Sequence, residues 1–322
     1  MTRRPSPQRP EQAIQPDPTR TVAPLLADAW IVSFHKGGHM IVVTGATGQT
    51  GRHLVAELLQ RGAAVRALVR DPSAARRMLG ADVELVEADL ERPTTLQAAL
   101  QGAERVYLLA PPHPRLAAME ANLIEAARRA GVRQVVKHSA IDASPAARSE
   151  VARMHFAGER LLAASGLAHT ILRPSMFMQN FLMLTPTIVS QGLLAVPMGT
   201  GRCAFVDCAD VAAVAAAVLT QDGHNGRTYL VTGAQALSID QVAAQLSTAL
   251  GRTIRYLDVP IQAARAALGA QGLSDWQIEQ MRGSAEAFAA GEVAGVADVV
   301  ARLTGRPPRS FAAFAHDLVA AA

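Results

Sequence analysis

Apolar and polar positions alternate in two registers along most of the chain. Short continuous apolar runs occur at Ile41–Thr44, Ala64–Val69, Val83–Val86, Arg105–Leu109, Val132–Lys137 and His169–Leu172. Between them lie longer stretches whose apolar residues recur every three to four positions, at Thr50–Arg61, Thr94–Leu100, Arg115–Ala130 and Glu150–Ala164. The first set reads as strands covered on both faces and the second as amphipathic helices. Strand, helix, strand at this spacing predicts an α/β fold with a doubly wound parallel sheet.

The pattern changes at about residue 174. Pro174, Pro186, Pro197 and two Gly-rich turns mark a less regular region. Strand-like segments return at Cys203–Val206 and Tyr229–Thr232, and residues 238–322 read as helices with one strand, Thr253–Val259. The expected organisation is a wound core of about 40–173 plus 203–235. A small, mostly helical C-terminal substrate lobe would take about 174–202 and 236–322. No apolar run approaches the roughly 18 residues of a membrane span; Val211–Leu219 is the best and falls short.

Residues 1–39 follow neither pattern. They are rich in proline and polar residues, so they read as a disordered extension, without the apolar core and cleavage pattern of a secretory signal. Met40 opens the first strand, and Lys36-Gly37-Gly38 just upstream is what translation of a purine-rich ribosome-binding site would give; Met40 is the expected native start.

Composition narrows the function. The formal net charge is +4, of which +2 falls in residues 1–39, leaving a nearly balanced body rather than a nucleic-acid-binding surface. Two cysteines, Cys203 and Cys208, make neither a disulfide framework nor a zinc site, and read as buried small residues in a reducing, cytoplasmic protein. No metal site is expected; Asp207 and Asp210 precede a helix and read as caps.

After the first strand comes Gly45-Ala46-Thr47-Gly48-Gln49-Thr50-Gly51, opening a helix. Glycines here permit a sharp turn, close approach of backbone to a pyrophosphate and tight helix packing, while the helix N-terminus holds the anion. The loop is the phosphate-binding signature of a Rossmann fold, with Gly45, Thr47, Gly48, Gln49, Thr50 and Gly51 as cofactor candidates. The second strand ends at Val69-Arg70. A guanidinium there favours the 2′-phosphate of NADP over the ribose diol of NAD, although Asp71 follows at once. Arg66 lies on the same strand and could assist.

The G-x-x-G-x-x-G spacing, Asp89-Leu90, Ala110-Pro111, Ser139 and the run Ser165–Pro174 together resemble the NmrA-like family of atypical short-chain dehydrogenases, over roughly residues 40–320. The resemblance implies an NADPH cofactor and a homologous site. Asp89 would receive the adenine amino group, unless it only caps a turn. Leu90, Ala110 and Pro111 would follow the cofactor, and Ser139 and Lys137 would border the nicotinamide.

Short-chain dehydrogenases use a Tyr-x-x-x-Lys pair, the lysine lowering the tyrosine pKa. Here Tyr107, Tyr229 and Tyr256 are followed four residues on by Pro111, Gly233 and Pro260, and Lys36 and Lys137 are the only lysines. By alignment to the resemblance, His155 takes the place of that lysine. It would contact cofactor or substrate, or else pair with Glu159 at i, i+4 on a helix surface. Phe177, Met178 and Asn180 would line the acceptor pocket, or pack the lobe interface.

The catalytic candidates are therefore His155, Lys137 and Asn180. The expected function is NADPH-dependent reduction of a small-molecule acceptor, such as a quinone or azo or triarylmethane dye, by direct hydride transfer. The alternative is a non-catalytic NADP(H)-binding redox sensor acting through protein partners. Helices Arg115–Ala130 and Glu150–Ala164 could also pair subunits in a homodimer.

Overall fold

A computed structural model describes residues 39–320; the proposed extension lies outside the described residues except for His39. Among the described residues nine strands and twelve α-helices follow in chain order. The first half contains β1 (Met40–Val43), α1 (Gln49–Gln60), β2 (Ala64–Val69), α2 (Pro72–Leu79), β3 (Glu84–Glu87), α3 (Pro93–Ala99), β4 (Arg105–Leu108), α4 (Leu116–Arg129), β5 (Gln134–His138), α5 (Glu150–Ala164) and β6 (Ala168–Pro174). A 3-10 turn (Met178–Leu184) leads to α6 (Thr185–Gln191), β7 (Leu193–Val196), α7 (Cys208–Thr220), β8 (Arg227–Val231), α8 (Ile239–Leu250) and β9 (Arg255–Asp258). The chain ends with α9 (Ile261–Ala270), α10 (Asp275–Ala289), α11 (Val299–Thr304) and α12 (Phe311–Ala320).

Seven strands form one parallel sheet in the order β3-β2-β1-β4-β5-β6-β8. This is the doubly wound Rossmann architecture, and the order reverses direction between β1 and β4, where ligands bind in such sheets. The sheet is apolar on both faces. One face packs against α1, α7 and α11, with Ile41, Val43, Leu54, Leu58, Tyr107 and Val214 in its core. The other packs against α3, α4 and α5 around Val42, Leu96, Val106, Leu123 and Leu162.

The Val211–Leu219 run, too short for a bilayer, is the interior of α7, every residue of it buried. Among the described residues no helix is long and apolar enough to cross a membrane. A separate core gathers Phe181, Leu194, Phe205, Leu246, Phe288, Phe311 and Phe314 from the C-terminal elements. Beside it β7 and β9 pair in a second, two-stranded sheet.

Cys203–Val206 departs from expectation. It is not a strand of the main sheet. It bridges two segments instead, Cys203 exchanging backbone hydrogen bonds with Leu237, and Val206 donating to the Met176 carbonyl while accepting from Met178. Its apolar run reflects burial between the cores rather than strand pairing. The Cys203 and Cys208 thiols are free and buried, and burial pushes them up to about 11 and about 12, so neither is a reactive thiolate.

Candidate functional site

The site is organised by Thr44 at the end of β1. Its hydroxyl donates to the Leu109 carbonyl (2.9 Å) and accepts from the Leu109 amide (2.8 Å), tying the ends of β1 and β4 across the switch point. The phosphate loop starts at the next residue. Gly45 has φ +64°, a left-handed turn that a side chain would strain, and a Cβ there would also meet Leu109 at 2.9 Å. Gly51 lies in the first turn of α1, and a Cβ on it would fall 2.0 Å from the Gly45 carbonyl oxygen. The helix can sit this close to its own loop only because that hydrogen is there.

Thr47, Gly48 and Gln49 are exposed at the loop tip, whereas Thr50 and Gly51 are buried beneath it. Helix α1 has no side-chain cap and no acid in its first turn. Its amides are consequently open to an anion, and these residues fit a dinucleotide pyrophosphate.

At the end of β2, Asp71 is the N-cap of α2, one carboxylate oxygen accepting from the Ala74 amide (2.9 Å). Arg70 is exposed and makes no side-chain hydrogen bond or ion pair with the described residues. Arg66 is engaged elsewhere, with Glu84 and the Ala99 and Gln101 carbonyls. Asp89, half-buried, accepts from the Glu91 amide (2.9 Å), so one carboxylate oxygen serves the local turn. Leu90 is half-buried and its carbonyl accepts from Asn122, Ala110 is buried and Pro111 is exposed after β4.

The residues after β5 form two interior polar networks rather than one open site. Ser139 donates to Glu159 (2.5 Å), and Arg173 clamps the same carboxylate through two contacts at 2.9 and 2.5 Å. The surface pair of His155 with Glu159 is thereby replaced. Both are buried, and they face different partners, because that side of α5 packs on the sheet. His155 joins Lys137 and Glu120: Lys137 Nζ lies 2.5 Å from Glu120 Oε1 and 3.2 Å from His155 Nδ1, which is itself 3.2 Å from Glu120 Oε1.

Lys137 is wholly buried, its ammonium enclosed by Glu120 of α4, His155 of α5 and the His138 carbonyl. Burial pulls the Lys137 pKa down, with Glu120 and Glu159 opposing. Burial, and then the Lys137 charge, also lower that of His155, with Glu120 and Glu159 opposing.

The residue next to Lys137 escaped the sequence reading. His138 Nδ1 is hydrogen-bonded to the Tyr107 hydroxyl (2.6 Å), and the ring lies edge-on to Phe177 at 5.9 Å between centroids. Burial lowers its pKa to about 3 and raises that of Tyr107, so the imidazole is neutral and the phenol protonated. Phe177 is half-buried against the sheet core.

Met178 is 2 % exposed and packs within the lobe core. The amide fixed in this segment is Gln179, which donates to Asp207 (3.0 Å) and accepts from the Cys208 amide (3.1 Å). Asn180 is exposed, and its side chain has no partner among the described residues. Asp207 caps α7, accepting from the Ala209 amide (2.8 Å), and Asp210 accepts from the Arg309 amide (2.7 Å).

An uncapped Gly-rich loop at the switch point of a 3-2-1-4-5-6 sheet defines a dinucleotide-binding type of α/β protein. Residues 38–303 match the NmrA-like family model, and the chain belongs to that family. It is 38 % identical over 282 residues to the NAD(P)H azoreductase of Xenophilus azovorans, a match spanning 88 % of this chain and 99 % of that protein. It is 29 % identical to the NADPH-dependent quinone oxidoreductase of Escherichia coli solved with NADPH (TM-score 0.81, covering 87 % of this chain and 100 % of that one). The triphenylmethane reductase of Citrobacter is 26 % identical, at a TM-score of 0.79, with 87 % of this chain and 99 % of that one covered.

Proposed function

We propose that this protein is an NADPH-dependent reductase of a flat, conjugated acceptor, a quinone or an azo or triarylmethane dye. The observation that carries the reading is His155, buried against Lys137 and Glu120 at the helix position where the family resemblance places a catalytic lysine. The nearly end-to-end similarity to an azoreductase supports it.

Thr47, Gly48 and Gln49 with the first amides of α1 would hold the pyrophosphate, and Arg70 the 2′-phosphate. Asp89, Leu90, Ala110 and Pro111 would run along the adenosine and ribose. The bound nicotinamide supplies the hydride. The chain's own contribution is to orient the acceptor, with Phe177 and Asn180 beside it, and to offer it a hydrogen bond from His155.

No Tyr-x-x-x-Lys pair is required for such acceptors. Reduction of a ketone localises charge on one alkoxide oxygen and needs a strong acid nearby. Reduction of a quinone or dye spreads that charge over the conjugated system, and solvent can supply the proton.

The test is NADPH oxidation by the full chain against quinones, azo dyes and triarylmethane dyes, with thermal shift reporting cofactor binding on the same sample. Turnover that His155→Ala removes is the expected result. Tight NADPH binding with no turnover across the panel would make a redox sensor the better reading.

A further inference from the structure

The buried ion pair has no part in the hydride chemistry just described, yet it stands directly behind His155. Three elements build it: Glu120 from α4, Lys137 from β5 and His155 from α5. Both charged side chains are 0 % exposed. A buried pair of this kind contributes little to stability relative to apolar packing, which leaves a positioning role as the alternative reason for its presence.

Its hydrogen-bond count favours one tautomer. Lys137 Nζ donates to Glu120 Oε1 at 2.5 Å and the His138 carbonyl at 3.1 Å, and lies 3.2 Å from His155 Nδ1. An ammonium has three N–H bonds and no lone pair, so it can only donate. Toward Glu120 Oε1, also 3.2 Å from Nδ1, the ring would instead donate. All three ammonium hydrogens are used only when Nδ1 accepts, and the ring proton is then on Nε2. That atom has no hydrogen-bond partner among the described residues, and it is not one of their sealed, partnerless polar atoms, which are Glu91 Oε1, Arg105 Nε, Glu120 Oε2 and His224 Nε2.

Helix α5 is shaped around the pair. A Cβ at Gly158 would fall 1.7 Å from Glu120 Oε2 and 3.0 Å from Lys137 Cε. A glycine in mid-helix costs about 1 kcal/mol relative to alanine, and here it is what lets the helix close over the two charges.

We infer that Lys137, held by Glu120, is a positioning residue that locks His155 in the Nε2–H tautomer, so that the imidazole presents a hydrogen-bond donor to the acceptor. This deepens the reductase reading and rests on it. The lysine is thus used at one remove, through an imidazole, rather than in contact with the cofactor.

The charged and titratable groups around the ring are Glu120 on α4, Lys137 and His138 on β5, Asp142 in the following loop and Glu159 on α5. Removing the ammonium leaves Glu120 as the Nδ1 partner at 3.2 Å, which draws a proton onto Nδ1. The ring then becomes an Nδ1–H tautomer or a cation.

Nitrogen-15 NMR of the full chain labelled at histidine, with NADPH bound and with His155→Gln assigning the signals, reads the tautomer directly. In the wild type Nδ1 should be unprotonated and Nε2 protonated from pH 6 to 8. In Lys137→Met a proton should appear on Nδ1, with kcat at least tenfold lower and the KM for NADPH changed less than twofold. In Lys137→Met/Glu120→Gln, where the lone carboxylate is gone, the wild-type tautomer and much of kcat should return. A wild-type ring protonated at Nδ1 overturns the inference, whether or not either variant folds, and so does an unaltered tautomer in Lys137→Met. Absence of turnover with every acceptor overturns the reductase reading instead, and the spectra distinguish the two failures.

Discussion

At the scale of single residues, Asp71 caps α2 and Arg66 is held by Glu84, while Arg70 is exposed; on the reading proposed above it meets the cofactor's 2′-phosphate. Arg70→Glu should weaken NADPH binding at least tenfold while NADH binding holds or improves, measured by titration of each cofactor. Equal losses for both would remove Arg70 from the phosphate role. His138 makes a second prediction. Its pKa falls from 6.5 to about 3 on folding, so the unfolded chain binds the extra proton between these values. Stability contributed by the neutral ring is therefore complete above about 6.5 and is lost as pH falls towards 3. The loss for one such group between pH 7.5 and 5 is roughly 2 kcal/mol. His138→Asn keeps an acceptor for Tyr107 without titrating, and urea unfolding at the two pH values should show a correspondingly smaller drop than in the wild type. An unchanged drop would mean that His138 charges freely in the folded state.

Residue-scale legibility divides along the same line. The tight turn between β1 and α1 could be read because its three glycines lie within seven consecutive residues. Glu120, Lys137 and His155 stand 17 and 18 positions apart on three elements, and spacing alone did not join them. Spacing did offer His155 with Glu159, since i, i+4 neighbours share a helix face. It could not say that this face is buried and that each residue meets a partner from the sheet instead.

Elements were legible wherever their apolar pattern had one cause. The six early strands and four helices are present with ends shifted by a few residues, because both faces of the sheet are covered and each helix has one apolar stripe. Cys203–Val206 misled because it is apolar through burial between cores, without strand pairing. The helix that follows it depends on Asp207, which is 1 % exposed. One carboxylate caps α7, accepts from Gln179 and pairs with Arg309 at 2.7 Å. Arg309, part-exposed, keeps Asp317 as a partner, but Asp207→Ala removes a cap and leaves the buried Gln179 amide unpartnered, so it should cost about 2–4 kcal/mol in urea unfolding. A cost near 1 kcal/mol would mean that only the cap matters.

At the scale of the molecule, the loop and the lobe belong to different cores. Ala46 and Leu109 pack with the sheet core, whereas Phe311 lies in the lobe core, with ring centroids 5.1 Å from Phe181, 5.6 Å from Phe314 and 6.1 Å from Phe205. If the loop binds NADPH as argued, cofactor affinity should be set by the sheet half alone. Phe311→Ala should then remove about 3–5 kcal/mol of stability through the cavity it leaves. For a domain of this size each kcal/mol moves the melting point by about 2–4 °C, so the variant should melt clearly lower. NADPH at a hundredfold excess over its Kd stabilises by about 2.7 kcal/mol, and that increment should be the same in wild type and variant. A variant that melts lower and also loses the increment would tie the cofactor site to the lobe. The pyrophosphate would then have to be held by more than the β1–α1 loop, and the assignment of affinity to Gly45–Gly51 and Arg70 would fall.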